Sequence, residues 1–229
     1  MELIDALRTT GSIREFTEEP VGDELLWSVL DDARFAPSGG NRQAWRVIVV
    51  RDQETRQTVR NLYLDAWRDY VGHVLAGLIP FSPLASDDDR AAALAQRSAA
   101  IAISKPTGFA ETLDHVPVML VVCADLEVLA ATDRDLDRYQ IVGGASIYPF
   151  VWSILLAARE RGLAGVMTTI ATRNEEGLRR ALAIPSTFAV ASIVALGYPQ
   201  KRHTNLRREP VEAFTTFDSF DGESFGPTR

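Results

Sequence analysis

The loop at residues 36–45, Ala-Pro-Ser-Gly-Gly-Asn-Arg-Gln-Ala-Trp, combines a helix-ending proline with two glycines and several hydrogen-bonding side chains. Pro37 cannot continue a helix, and Gly39 and Gly40 let the backbone approach a flat ligand closely or adopt positive φ. The polar side chains that could contact such a ligand are Ser38, Asn41 and Gln43. The loop is therefore a candidate cradle for a planar polar molecule, although a tight helix-to-strand turn would have the same composition.

Two basic segments, far apart in the chain, add a candidate anion site. One is Arg-Thr-Thr-Gly-Ser-Ile-Arg-Glu-Phe at residues 8–16, and the other is Arg207-Arg208. Arginine beside glycines and hydroxyl groups can hold a phosphate, because the planar guanidinium forms paired hydrogen bonds with its oxygens. The sequence has no Gly-x-Gly-x-x-Gly after a strand, no Walker loop, no His-Glu-x-x-His and no Gly-x-Ser-x-Gly. Polar loops without a nucleophile or metal motif indicate that a bound cofactor performs the chemistry.

Taken in order, these pieces resemble the FMN-dependent nitroreductase family over residues 8–210. The family's first flavin-contact segment is similar to Ser12-Ile-Arg-Glu-Phe16 followed by Pro20-Val21. The family's Pro-Ser-x-x-Asn-x-Gln-Pro-Trp is similar to residues 37–45, with Ala44 in place of the usual proline. Three more matches follow in the family's order: Gly162-Leu163 with residues 166–169, then Gly197-Tyr198-Pro199, then Arg208-Glu-Pro210.

The resemblance assigns residues to the parts of FMN. For the phosphate end the candidates are Arg8, Thr10, Gly11, Ser12, Arg207 and Arg208. Family members commonly carry arginine where this chain has Thr10, so either Arg8 replaces it or the phosphate depends on the other groups. Arg14 would lie at the N1/C2=O edge of the ring, where a fixed cation stabilises the reduced flavin. The groups expected along the ribityl chain and the ring edge, including N5, are Ser38, Gly39, Asn41, Gln43, Thr168, Thr169 and Ile170.

The same resemblance implies an oxidoreductase that uses NAD(P)H to reduce nitroaromatics, quinones or similar flat electrophiles by ping-pong hydride transfer. The candidates for the substrate pocket are Trp67, Tyr70, Phe109 and Tyr148. An aromatic stripe such as that of Trp67 and Tyr70 is also typical of ordinary core packing. Two alternative functions stay open: a reductive dehalogenase, whose threonine-rich segment resembles Met167-Thr168-Thr169, and a non-catalytic FMN-binding or storage protein.

Helical and strand patterns alternate along the chain, which predicts a three-layer α-β-α fold of the α/β (α+β) class. The resemblance makes the central sheet mixed and mostly antiparallel, in an intertwined homodimer. The expected helices are 23–35 with Asp23 as N-cap, a stripe from Val59 to Val74, 139–160 interrupted by Pro149 and closed by Gly162, and 174–182 with Asn174 as cap. The expected strands are 45–51, 116–124, 164–169 and 188–196.

Two segments of the single predicted domain, 1–229, lack a strong core pattern. Residues 76–115 contain an acidic run and an alanine-rich helix, and they are either a surface excursion or a mobile lid over a substrate pocket. Residues 199–229 carry scattered aromatics without periodicity, and in the resembled family such a segment lies across the partner subunit.

Composition excludes several other classes of function. A net charge of −7 opposes nucleic-acid binding, which needs a basic face. Cys123 is the single cysteine and the histidines, at 73, 115 and 203, are dispersed, so we expect a buried thiol and no metal site. The N-terminus lacks the pattern of a signal peptide, and the longest apolar stretches, 116–124 and 188–197, are too short to span a bilayer. We therefore expect a cytoplasmic protein that binds no membrane.

Overall fold

The structure is a computed structural model that describes residues 1–226 of the 229-residue chain. The helices in that range are α1 (Leu3–Thr9), α2 (Asp23–Ala33), α3 (Gln53–Leu75), α4 (Asp87–Ala95), α5 (Arg97–Ala102), α6 (Tyr148–Glu160) and α7 (Glu175–Ala181). The strands are β1 (Trp45–Val50), β2 (Val118–Asp125), β3 (Ala164–Thr168) and β4 (Phe188–Gly197). Each strand predicted from the sequence is present, with ends that differ by one or two residues.

The four strands form one sheet in the order β1-β2-β4-β3. All three neighbouring pairs in the described chain are antiparallel, so the expected mixed sheet is wholly antiparallel here. The central strand β2 is buried at every position from Val118 to Ala124, as its continuous apolar sequence predicts.

A separate apolar core covers each face of the sheet. On one face α2 and α6 pack against the strands through side chains that include Leu26, Val29, Ile154, Leu120 and Val194. On the other face α3 and α7 do so through Val59, Tyr63, Leu178, Met119 and Ile193. Burial of each such aliphatic side chain contributes about 1.5–3 kcal/mol. The predicted three-layer α-β-α fold is therefore confirmed.

The apolar segment before β3 does not form one interrupted helix from residue 139. A short 3₁₀ helix, Val142–Ser146, comes first, and α6 begins at Tyr148. Pro149 lies in the first turn of α6, where its missing N–H would have no helical partner, so it starts the helix. Val142–Glu160 is the one helical stretch in the described chain long and apolar enough to cross a membrane. Six side chains of α6 are nevertheless buried in the protein core.

The helix ends differ in detail from the prediction. Gly22 is the N-cap of α2, and Asp23 lies inside the first turn. Asn174 precedes α7 without capping it; its amide instead donates to the Leu62 carbonyl oxygen on α3, at 2.8 Å. Gly162 follows the last residues of α6 with φ +82°, as expected for a glycine that ends a helix.

Helices α4 and α5 belong to the region 76–115, and both pack on α3. Ser86 and Asp89 form a capping box at the start of α4, so one residue of the acidic run caps this helix and all three lie in its first turn. Gly72 of α3 allows close approach, because a Cβ there would lie 2.6 Å from the Ala93 carbonyl oxygen of α4. The role of this region as a mobile lid stays a prediction.

The C-terminal segment forms a small hairpin closed by a bridge between Thr216 and Ser224. Phe217 and Phe225 contact each other edge to face at 5.3 Å, yet both stay exposed. Phe220 is 97% exposed, so the segment buries little of its aromatic surface against its own chain. The wrapping of a partner by 199–229 stays a prediction, and residues 227–229 lie outside the described part.

Candidate functional site

The N-terminal and C-terminal candidate segments run side by side. The Thr17 amide donates to the Tyr198 carbonyl oxygen at 2.8 Å, and the Gln200 amide donates to the Glu15 carbonyl oxygen at 3.1 Å. The Ile13 amide donates to Gly165 of β3 at 2.9 Å, which fixes the N-terminal segment along that edge strand. Three motifs that are distant in the sequence therefore meet beside β3.

The two segments that carry the candidate phosphate residues pass close to each other at Gly11. A Cβ on Gly11 would lie 2.9 Å from the Leu206 side chain and 3.4 Å from the His203 carbonyl oxygen. Glycine at this position lets the segment 203–206 pass directly against residues 10–12. Arg207 and Arg208 follow that segment and are exposed, as are Ser12 and Arg8.

A cavity of about 530 Å³ opens beside these segments, between β3, α3 and the loop after α5. Its volume is in the usual range for small-molecule sites. The structure brings together in its wall seven of the predicted residues: Arg14, Trp67, Tyr70, Phe109 and the run 168–170. Three of the four substrate-pocket candidates therefore line the same concave site as Arg14 and the run 168–170.

The cavity is electropositive. Arg14, Arg68 and Lys105 line it, against the single carboxylate of Glu111, which accepts a hydrogen bond from Ser104. Within the described residues Arg14 pairs with no carboxylate, and its guanidinium lies 6.0 Å from the Phe109 ring centroid. An anionic or electron-rich ligand would therefore meet unpaired positive charge.

Tyr63 is a wall residue that the sequence argument placed only in the α3 stripe. Its ring packs edge to face on Phe109 at 6.0 Å, and its hydroxyl accepts a hydrogen bond from the Thr168 hydroxyl at 3.3 Å. Burial raises the pKa of Tyr63 above its usual range, so the phenol is neutral at physiological pH. Arg68, Lys105 and Glu111 were likewise not predicted, because isolated charges in a helix or loop carry no signal of a site.

The turn after β3 leaves backbone amides without an acceptor at residues that line the cavity. The 3₁₀ helix Ile170–Asn174 begins there, and the first amides of a helix have no internal acceptor. In the described chain the N–H groups of Thr169 and Ile170 donate to no other residue, and both residues line the cavity. A ligand acceptor placed at this turn would satisfy donors that the protein leaves unpaired.

The Ser-Gly-Gly-Asn loop lies elsewhere. Gly40, Asn41 and Gln43 all have positive φ, from +50° to +60°, and the Gly39 amide donates to the Ser146 hydroxyl at 3.0 Å. None of Ser38, Gly39, Asn41, Gln43 or Tyr148 lines the 530 Å³ cavity. In a single chain the predicted site residues therefore lie in two separate places, the 530 Å³ cavity and the Ser38–Gln43 loop. Within residues 1–226 no group of three His, Cys, Asp or Glu side chains could hold a metal.

A sequence model of the Nitroreductase family matches residues 7–198, most of the chain. Together with the α-β-α fold and the cavity beside β3, this match identifies the class of protein. The chain belongs to the Nitroreductase family.

Individual relatives cover most of the chain at low identity. The chain is 27% identical to an NADH dehydrogenase of Thermus thermophilus, with 88% of each chain covered. It is 24% identical to an FMN reductase [NAD(P)H] of Bacillus subtilis, covering 93% of this chain and 72% of that protein. The crystal structure of oxidized iodotyrosine deiodinase bound to FMN and 3-iodo-L-tyrosine superposes with a TM-score of 0.65 at 20% identity, covering 96% of this chain and all of that chain.

Proposed function

We propose that the protein is an FMN-dependent NAD(P)H oxidoreductase that reduces nitroaromatics, quinones or similar flat electrophiles. One observation carries the proposal. The Arg14 guanidinium, which pairs with no carboxylate in the described chain, lines the same cavity as Thr169 and Ile170, whose backbone amides have no acceptor. A flavin ring needs such partners at its two polar edges. A relative named FMN reductase [NAD(P)H] supports the same assignment.

Each part of the cavity fits a part of the cofactor. FMN, when bound, supplies the atom that accepts and returns hydride. Arg14 would stabilise negative charge on the ring, and the amides of the 169–170 turn would donate to its opposite edge. The hydroxyls and basic groups of residues 8–12 and 207–208 would hold the phosphate. Trp67, Tyr70 and Phe109 supply apolar wall that would hold a flat substrate and exclude water.

The separate position of the Ser38–Gln43 loop supports a homodimer in which each site uses both chains. In the resembled family the flavin lies at the subunit boundary, so this loop would reach the cavity of the partner. The exposed apolar side chains near the loop and along α2 and α6 would then be covered: Trp27, Phe35, Tyr148 and Trp152. We place this soluble dimer in the cytoplasm, with α6 as a core helix.

The reductive dehalogenase alternative is favoured by one observation, the likeness of fold to a deiodinase that binds a halogenated aromatic amino acid. Both functions need FMN, so cofactor binding does not separate them. Turnover of 3-iodo-L-tyrosine by the reduced protein, measured as iodide release, would favour the dehalogenase. Reduction of 4-nitrobenzoate or a quinone without iodide release favours the reductase that we propose.

The decisive experiment is an absorbance spectrum of the purified protein before and after anaerobic addition of NADH or NADPH. We expect flavin bands from non-covalently bound FMN, which bleach with one nucleotide and return when the acceptor is added. Steady-state rates should give the parallel lines of a ping-pong mechanism. A yellow protein that never bleaches is a binding or storage protein, and a colourless protein that cannot be reconstituted with FMN contradicts the whole proposal.

A further inference from the structure

A second and larger cavity, of about 1030 Å³, adjoins the proposed flavin cavity. It lies between α3, the loop before α4 and the turn after β3. Tyr70, Thr169 and Ile170 line both cavities. We call the larger one the side groove. A molecule that reacts in the first cavity could extend into the side groove past Tyr70.

Aromatic rings form a row from one cavity into the other. Trp67 and Tyr70 stack at 4.9 Å with an interplanar angle of 8°. The Tyr70 ring lies 6.4 Å from that of Phe81, which in turn lies 4.8 Å from the ring of His73. Rows of this kind offer flat apolar surface to an aromatic ligand.

Phe81 adopts an unfavourable backbone conformation in this row. Its φ is +55°, in the left-handed region that bulky residues rarely occupy. The Arg173 guanidinium lies 5.0 Å from the Phe81 ring centroid on the turn side of the side groove. Such a conformation persists only where the surroundings hold it, and it is most common at functional sites.

Arg173 is the cation of the side groove that no carboxylate neutralises. Asp69, which also lines the side groove, is bound by Arg97. Arg90 is paired with Asp87 at 2.6 Å. Within the described residues Arg173 pairs with no acid, and its contact is the Phe81 ring. The side groove therefore combines an aromatic floor with one available positive charge.

We propose that the side groove binds the anionic group of a substrate whose flat ring lies against Trp67 and Tyr70, with Arg173 as the group that recognises the anion. The proposal rests on the proposed function for the identity of the neighbouring cavity. The anion is a carboxylate or phosphate, carried either by the electron acceptor or by the nicotinamide dinucleotide. Arg173 sets specificity and takes no part in the redox chemistry.

The test measures binding by isothermal titration calorimetry, which needs no turnover. The protein as purified is titrated with 4-nitrobenzoate, with its uncharged analogue 4-nitrobenzamide, and with NADP⁺. Arg173→Gln should weaken binding of an anionic probe about three- to tenfold, since the interaction is at an exposed charge, and leave 4-nitrobenzamide unchanged. Arg173→Lys should keep most of the affinity. The matched control is Arg180→Gln, at an exposed arginine of α7 that pairs with Glu176 and lies outside the side groove.

The outcomes separate the sources of the anion. An effect on 4-nitrobenzoate alone assigns the side groove to the acceptor, and an effect on NADP⁺ alone assigns it to the dinucleotide. Either of these results supports the proposal. Equal losses for the charged and uncharged probes, no loss, or no binding of any probe to the unmutated protein would overturn it. If the anionic probes bind as expected but NAD(P)H never bleaches the flavin, the reductase function fails while the anion site stands.

Discussion

The hydroxyl of Thr168, the last residue of β3, donates to the hydroxyl of Tyr63 on α3, and both residues are buried at the wall of the proposed flavin cavity. This contact joins β3 to α3 at the end of the strand, directly before the unpaired amides of Thr169 and Ile170. Tyr63→Phe should leave the Thr168 hydroxyl without its partner and lower the free energy of unfolding by about 0.5–1.5 kcal/mol. Urea denaturation monitored by circular dichroism measures the difference.

The matched control is Tyr70→Phe, because Tyr70 is only partly buried and its hydroxyl makes no hydrogen bond within the described chain. Its free energy of unfolding should stay within about 0.5 kcal/mol of the unmutated protein. An equal loss in the two variants would show that the Tyr63–Thr168 contact contributes nothing specific to stability.

Arg14→Gln should lower the two-electron reduction potential of the bound flavin and leave most of the FMN affinity intact. The reason is that Arg14 pairs with no carboxylate and lines the proposed ring site, whereas the proposed phosphate groups lie around Gly11. Anaerobic titration against reference dyes gives the potential, and Arg14→Lys, which keeps the charge, should restore much of it. An unchanged potential in the glutamine variant would make Arg14 a structural residue.

Arg208→Ala should weaken FMN binding by the value of one charge-assisted hydrogen bond, about 1.5–3 kcal/mol, or roughly 10- to 150-fold. Fluorescence titration of the apoproteins measures the dissociation constants. Arg202 is unsuitable as a control, because it donates to the carbonyl oxygens of Gly162 and Leu163 at the end of α6. Arg180→Ala serves instead, since Arg180 is exposed and lies outside both segments of the proposed phosphate site. Similar dissociation constants for both variants would remove Arg208 from the phosphate site.

Gly72→Ala should destabilise the packing of α4 on α3. Alanine in the middle of a helix normally stabilises it by up to about 1 kcal/mol relative to glycine. Here the added Cβ would lie 2.6 Å from the Ala93 carbonyl oxygen, so the backbone of α4 must move. We expect faster hydrogen exchange over residues 86–104 and a lower melting temperature.

Gly177→Ala is the comparison for that variant. Its added Cβ would meet the Leu62 side chain, which can change rotamer, so we expect a smaller loss of stability. If Gly72→Ala raises the melting temperature, the helix contact adapts easily, and the region 76–115 is more loosely attached than the structure indicates.

The sequence predicted the layers well because each depends on local patterns. The continuous apolar run of β2 and the stripe of α3 both correspond to observed elements. The prediction was wrong where one residue type is compatible with two roles and only the neighbouring structure selects between them. Pro149 can interrupt a helix or begin one, and only the preceding turn, Val142–Ser146, decides that it begins α6.

The residues of the candidate cavity were predictable where they belong to a contiguous motif. They were unpredictable where folding brings single residues to the cavity from separate elements. Arg14 and the run 168–170 lie in recognisable motifs, and the structure brings them to one cavity. Arg68 and Lys105 reach the same cavity from a helix and a loop whose local sequences resemble any exposed surface. Arg173 likewise gains its importance only from Phe81, which is distant in the sequence.

Removal of residues 211–229 should convert the proposed dimer into a smaller species that holds FMN poorly, although Arg207 and Arg208 remain. The described part of this segment forms a hairpin that leaves Phe214, Phe217, Phe220 and Phe225 exposed at 69%, 47%, 97% and 47%. Exposed aromatics at this density are typical of an interface.

Dimerisation and cofactor retention should be coupled, because a site that uses both chains exists only in the dimer. Light scattering of the truncated chain should therefore show a lower mass, with a lower melting temperature and a reduced flavin absorbance, whereas the melting temperature of the full-length dimer should depend on protein concentration. Phe220→Ser in the full-length chain is the milder variant, since Phe220 makes almost no contact with its own chain and its loss cannot disturb the monomer fold. If both variants stay dimeric, fully yellow and equally stable, the segment does not wrap the partner. The dimer contact that would bring the Ser38–Gln43 loop to the partner's cavity must then be made by the α2 and α6 surface alone.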